Sequence, residues 1–241
     1  MFLGEATLPD DERIYAIGDV HGRLDLLEMM LARIEADRAA KPVARSAVLF
    51  VGDYTDRGPQ SREVLDRLCV LASDQSFIFL RGNHDQWLEN FMDEPEASGD
   101  KFLYWGGMAT LRSYGVDVEA GRTLKELSRD LVRRFPASHR RFLASLADCH
   151  IAGDYFFVHA GVRPGVQLDQ QEQHDLLWIR DEFLSHPGSF GKVVVHGHTP
   201  RSTVELMPNR INVDTRAFQS GVLSCVVLEG QGHRLIQACA D

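Results

Sequence analysis

The sequence predicts an α/β sandwich of two mixed β-sheets flanked by helices, with a helical insertion at roughly residues 86–148 of a single domain spanning 1–241. Three observations lead there. Short apolar runs alternate with amphipathic stretches over the first third of the chain. The middle carries helical patterning with no strand-like run, and the end returns to β-rich runs bounded by turn residues.

Taken in order, Arg13-Ile14-Tyr15-Ala16-Ile17 is short, apolar and partly β-branched, and it runs into Gly-Asp. Leu24 to Ala36 follows as an amphipathic helix, with apolar residues at Leu24, Leu27, Met30, Leu31 and Ile34. Ala47 to Val51 reads as a second buried strand, again ending in Gly-Asp, and Arg62 to Ala72 as a second helix. Phe77 to Leu80 is a third strand ending in Arg-Gly-Asn-His. This β-α-β-α-β succession implies parallel strands. Helices are expected around Thr110, Leu127 and Phe142, then strands at Tyr155–Val158 and Val193–Val195. Hairpins are expected around Pro208-Asn209 and Gly230-Gln231-Gly232.

The chain has 241 residues, 44% hydrophobic and 25% charged, enough for one large domain with a buried core. A net charge of −9 disfavours general attraction to nucleic acid or anionic membrane. Neither a bilayer-crossing run nor a signal peptide is read. The four cysteines form no CxxC pair and are expected to be buried free thiols, which fits a cytoplasmic protein.

Five strand-like runs each end in Asp, Asn or His beside glycine: Gly18-Asp19-Val20-His21-Gly22, Gly52-Asp53-Tyr54-Thr55-Asp56-Arg57-Gly58, Gly82-Asn83-His84-Asp85, His159-Ala160-Gly161 and His196-Gly197-His198-Thr199. The carboxyl ends of parallel strands are where ligands bind in open α/β sheets. Oxygen and imidazole donors without cysteine suit Mn²⁺, Fe or Zn²⁺. Asp19 and His21, two apart on an extended segment, point the same way, and the two oxygens of Asp53 allow it to bridge two ions. Two divalent cations would give a locally positive patch in an acidic chain, and so attract phosphate.

In order and character these clusters resemble the motifs of the phosphoprotein phosphatases, within the calcineurin-like metallophosphoesterases. Trp105-Gly106-Gly107, Thr110-Leu111 and Ser113-Tyr114-Gly115 are similar to a segment of the bacterial and phage members. The resemblance implies the calcineurin-like sandwich and two divalent ions, Mn²⁺ foremost. It implies Asp19, His21 and Asp53 at one metal site and Asp53, Asn83, His159 and His198 at the other. It further implies His84 as general acid oriented by Asp56, and Arg57 and Arg180 as phosphate-binding arginines. The implied reaction is direct attack of metal-bound hydroxide on a phosphomonoester of a phosphorylated protein or peptide.

Gly197-His198-Thr199-Pro200 lacks a second histidine, which favours this branch over nucleases and cyclic-nucleotide diesterases. Asp56 favours serine/threonine protein phosphatase over symmetrical diadenosine tetraphosphatase, whereas Asp85, where many protein phosphatases carry glutamate, points the other way. A dinucleoside-polyphosphate hydrolase and an inactive phosphopeptide-binding module are the alternatives. His139, His174, His186 and His233 are expected at the surface, and His196 stays unassigned. Trp87, Phe91, Phe102, Tyr104 and Trp105 are read as packing for the insertion. Arg216 stands where the family commonly has glycine.

Overall fold

The computed structural model describes residues 1–240. The chain runs β1 (Glu12–Ile17), α1 (Leu24–Ala40), β2 (Arg45–Phe50), α2 (Ser61–Leu71) and β3 (Phe77–Phe79). It then becomes helical through α3 (Asn83–Asp93), α4 (Pro95–Phe102), a π-helical turn at Leu103–Gly107, α5 (Met108–Ser113), α6 (Leu124–Arg134) and α7 (Ala137–Ala144). Strands resume with β4 (Cys149–Ala152) and β5 (Tyr155–Val158), followed by α8 (Gln173–Trp178), α9 (Asp181–Leu184) and β6 (Val193–His196). The end comprises β7 (Glu205–Met207), β8 (Arg210–Asn212), α10 (Ala217–Ser220), β9 (Val222–Glu229) and β10 (Gly232–Cys239).

The strands form two five-stranded mixed sheets, ordered β10-β9-β1-β2-β3 and β4-β5-β6-β8-β7. β1, β2 and β3 are parallel, as are β5, β6 and β8; the two outer partners in each sheet pair antiparallel or extend a hairpin. Alternation along each strand sorts side chains into three packed layers. Ile14, Ala16, Leu49 and Val51 meet Tyr155, Phe157, Val193, Val195 and Ile211 between the sheets. Their strand neighbours Tyr15, Ile17, Val48 and Phe50 face the helices of the first half and the insertion. Phe156, Val158 and Val194 pack outward on Leu176, Ile179 and Phe183 of α8, α9 and their junction. This is the expected sandwich, and its consequence is positional: the carboxyl ends of β1, β2, β3, β5 and β6 open on one edge.

Two expectations need correction. His139 is fully buried, donating from Nε2 to the Asp66 carboxylate at 2.9 Å and accepting at Nδ1 from the Tyr114 hydroxyl at 2.6 Å, which is how a helix in the insertion pins a histidine inside its core. Of the cysteines only Cys225 is buried: Cys69 and Cys149 are half-buried, and Cys239 is exposed because it ends the edge strand β10. No helix among the described residues is long and apolar enough to cross a membrane.

Candidate metal centre and substrate cleft

Every predicted site residue lies at that edge of the sandwich. Asp19 and His21 follow β1, Asp53, Asp56 and Arg57 follow β2, and Asn83 and His84 open α3 after β3. His159 follows β5 and His198 follows β6, so the second sheet supplies the two remaining imidazoles. Asp19, His21, Asp53, Asn83, His84, His159 and His198 are all buried.

The backbone bends sharply to bring them together. Of the seven non-glycine residues with positive φ among the described residues, five are His21, Asp53, Asp56, Arg57 and His198, and a sixth is Arg216. Such residues are uncommon outside functional sites and cost energy that the surrounding fold must offset. The glycines let segments touch: a Cβ on Gly82 would collide with the Asp53 carboxylate and main chain, and one on Gly197 with the Asp19 carboxylate.

The donors are arranged around Asp53. Its Oδ2 lies 3.4 Å from His21 Nε2, and its Oδ1 lies 3.4 Å from His159 Nε2. His21 Nδ1 is 2.7 Å from the Thr55 carbonyl and His159 Nδ1 is 2.9 Å from the Val51 carbonyl. A carbonyl can only accept, so each Nδ1 carries the proton and each Nε2 turns a lone pair toward the carboxylate. Burial, the largest influence, pushes the His21, His159 and His198 pKa values down, which keeps these rings neutral. Asn83 Oδ1 adds another acceptor, 2.8 Å from both His159 Nε2 and His198 Nδ1. Lone pairs thus face lone pairs on both sides of Asp53, an arrangement that a cation between them satisfies.

Carboxylate crowding points the same way. Burial raises Asp19 well above the usual carboxylate range, with Asp214 and Asp53 adding to it. Asp214 is pushed up to about 6, chiefly by burial. Divalent cations would relieve this anionic pressure, and the residues present therefore fit metal ions. His21, Asp53 and His84 form one compact donor group, and Asp53, His159 and His198 form another, with Asp53 shared. Asp19 Oδ2 stands 4.0 Å from His21 Nε2.

Beside the donors, His84 Nδ1 is 2.7 Å from Asp56 Oδ2. The other Asp56 oxygen accepts from the Thr110 hydroxyl at 2.6 Å, and the Asp56 backbone N–H donates to the hydroxyls of Thr110 and Ser61. The Arg57 guanidinium donates to His84 Nε2 at 3.0 Å and His21 Nε2 at 3.1 Å, and lies 4.8 Å over the Phe218 ring. Arg180 Nε donates to His198 Nε2 at 3.1 Å. His196, by contrast, packs edge-on against Phe183 and leaves the donor cluster to its neighbours.

A cleft of about 360 Å³ opens over these groups, walled by Trp87, Trp105, Trp178 and Lys101 together with Arg57 and Arg180. Of the aromatics read as packing, Phe91 and Phe102 are indeed buried and stacked on each other. Trp87 and Trp105 instead face the cleft, and Tyr104 is 80% exposed. Trp178 and Lys101 carried no signal in the sequence, since only the fold brings α8 and α4 to α3. Asp85 makes no contact with the cleft. Its carboxylate accepts the backbone N–H groups of Gly82, Asp53 and Tyr54, so it orients the Asp53 turn from behind. Its identity therefore bears on the Asp53 turn rather than on the lining of the cleft.

Comparison with known proteins agrees with this geometry. The family model for calcineurin-like phosphoesterases matches residues 12–222. Among curated proteins, an asymmetrical bis(5'-nucleosyl)-tetraphosphatase PrpE of Oceanobacillus iheyensis is 26% identical, over 84% of this chain and 83% of that protein. The serine/threonine-protein phosphatase 2 of Salmonella typhimurium is 25% identical, over 88% of this chain and 90% of that protein. Among solved structures, a putative diadenosine tetraphosphatase superposes with a TM-score of 0.65 at 21% identity, covering 98% of this chain and 100% of that one. A cold-active protein-tyrosine phosphatase of a Shewanella species superposes at 0.59 with 18% identity, covering 98% and 81%. With the fold, the ordered strand-end motifs and the family match in agreement, the chain belongs to the calcineurin-like phosphoesterases, a family of metallophosphoesterase hydrolases.

Proposed function

We propose that the protein is a two-metal phosphomonoesterase, most at home on phosphoserine and phosphothreonine side chains. The supporting observation is the buried His84–Asp56 pair, with 2.7 Å between Nδ1 and Oδ2. Cleaving an alkyl phosphate expels an alkoxide, which is a poor leaving group without a proton. A positioned general acid contributes about 10²–10⁴-fold there. A phosphoanhydride expels a phosphate, which leaves without such help, so a dinucleotide hydrolase has little use for this pair. An inactive binding module has none.

In this reading Asp19, His21 and Asp53 hold one divalent ion, and Asp53, Asn83, His159 and His198 hold the other. When bound, two such ions, Mn²⁺ by our reading, supply a nucleophile at neutral pH and offset phosphate charge. Arg57 and Arg180 grip phosphate oxygens, for which a planar guanidinium suits two contacts at once. The Phe218 ring beneath Arg57 fixes the plane of that grip. His84 Nε2, which accepts from Arg57 here, delivers a proton to the departing oxygen once the ring is protonated and Arg57 has turned to the phosphate, while Asp56 holds the ring by Nδ1. The unpaired cysteines support a cytoplasmic setting.

A second reading has its own support. Three indoles lining a cleft next to phosphate-binding arginines form a platform on which a nucleobase stacks. The discriminating measurement is kcat/KM of the Mn²⁺-loaded protein on a phosphothreonine peptide and on diadenosine tetraphosphate. A large preference for the peptide is expected; equal rates, or a preference for the dinucleotide, would reverse the choice.

A further inference from the structure

A second groove of about 430 Å³ shares Arg57, Trp105 and Arg180 with the cleft and is lined further by Tyr104, Arg216 and Phe218. No carboxylate lines it, although the chain as a whole carries a net charge of −9. Many arginines elsewhere are paired with acids, as Arg13 is with Glu229 and Arg163 with Asp175. Here, among the described residues, Arg57 and Arg180 meet only histidine nitrogens, and the Arg216 guanidinium has no hydrogen-bond partner.

Arg216 is also held in an unfavourable backbone state, with φ 58 and ψ 46. Glycine adopts that state freely, whereas a long branched-off side chain does not. The Arg216 N–H donates to Asp214 Oδ1 at 2.9 Å, and its carbonyl accepts from Gln219 and Ser220 at 2.8 Å each. The main chain is thus clamped on both sides, which fixes where the side chain leaves it. Two arginines suffice for the free oxygens of one phosphate; the third has none left to hold.

We propose that Arg216 binds a second anionic group of the substrate, a carboxylate or phosphate adjacent to the phosphate that Arg57 and Arg180 hold. This rests on the phosphoesterase reading of the neighbouring site. Two sources carry that chemistry: an acidic or phosphorylated residue beside the target residue of a peptide, or the next phosphate of a polyphosphate.

The test compares selectivity ratios within each protein, all measured on Mn²⁺-loaded enzyme. One ratio is KM for a phosphothreonine peptide flanked by alanine over KM for the same peptide flanked by aspartate or phosphoserine. The other is the inhibition constant of AMP over that of ADP against p-nitrophenyl phosphate. The wild type should show at least one ratio of about fivefold or more, and Arg216→Gly and Arg216→Gln should bring it close to one. Arg216→Gly should also melt about 2 °C higher as the backbone strain is relieved, which separates loss of selectivity from loss of fold. A preference in the peptide ratio identifies a flanking acid as the second anion, and one in the nucleotide ratio identifies a polyphosphate. Ratios near one in the wild type, or ratios retained in both variants, would overturn the proposal. Failure of metal-dependent p-nitrophenyl phosphate hydrolysis would strike instead at the phosphoesterase reading on which it rests.

Discussion

The floor of the site and its rim are held by different means. On the floor, Asp53, His21, His159 and His198 are buried and sit beside or one residue from glycines, and the three rings are locked by hydrogen bonds to main-chain carbonyls or to the Asn83 side-chain oxygen. On the rim, Trp105, Tyr104, Lys101 and Arg216 are exposed and come from the insertion and the chain end. A floor whose lone pairs converge has one chemical purpose and little tolerance for change. A rim of indoles and guanidiniums can vary with the substrate while the floor stays fixed. Changes to the floor should therefore abolish turnover, and changes to the rim should redistribute it.

The largest expected effect is at the shared carboxylate. Asp53→Asn removes the charge that faces both histidine pairs, and should lower turnover on any phosphomonoester by about 10⁴-fold. Near-normal rates with full metal occupancy would break the contrast at its base. Next comes His84→Asn, which should cost about 10²-fold or more on a phosphothreonine peptide and much less on p-nitrophenyl phosphate, whose leaving group needs little protonation. Equal losses on the two substrates would remove His84 from the proton-donor role.

Asp85→Asn tests whether a residue behind the floor counts as part of it. An amide cannot accept from all three backbone donors now bound by that carboxylate, so Mn²⁺ affinity should fall about 10–100-fold in a calorimetric titration. Unchanged affinity would show that the Asp53 turn holds itself. On the rim, Trp87→Ala should raise KM about two- to tenfold with a smaller change in kcat, and a collapse of kcat instead would place that indole in the chemistry.

The smallest expected effect is on stability against pH. Burial holds the His21, His159 and His198 pKa values below their ordinary position. Below about pH 6.5 the unfolded chain then binds more protons than the folded one at these three rings, so their contribution to stability falls as pH falls, while the raised Asp19 and Asp214 carboxyls, protonated first in the folded chain, act the other way. A metal-stripped Asp214→Asn variant, with one opposing carboxyl removed, should accordingly lose more melting temperature between pH 7 and pH 5 than the stripped wild type, and bound metal should reduce the loss. A flat profile in that variant would mean that these rings are not held neutral.

This division between floor and rim also explains what the sequence disclosed. Asp19, His21, Asp53, Asn83, His159 and His198 were recognisable because each follows a strand-like run and stands beside or one residue from a glycine that the close packing requires. The β-α-β-α-β opening and the two final hairpins were recognisable for a related reason, since period-2 and period-3.6 patterns are local. The strained φ values at His21, Asp53, Asp56, Arg57 and His198 left no trace of their own in the residue types. Trp178, Lys101 and Thr110 reach the site from segments far apart in the chain, and nothing local separates a cleft indole such as Trp87 from a core aromatic such as Phe91. His139 misled for the same reason: its two partners, Tyr114 and Asp66, are distant in sequence. Arg216 departed visibly from a family glycine, but only its φ of 58 shows that the departure carries strain.

The most direct measurement is turnover of a phosphothreonine peptide by the metal-stripped protein, before and after Mn²⁺ is added, with bound metal counted in the same sample. Negligible activity without metal, restored as two ions bind per chain, is the expected result. Two bound ions without turnover of the peptide would contradict the phosphomonoesterase assignment, and full turnover by the stripped protein would contradict the metal centre itself.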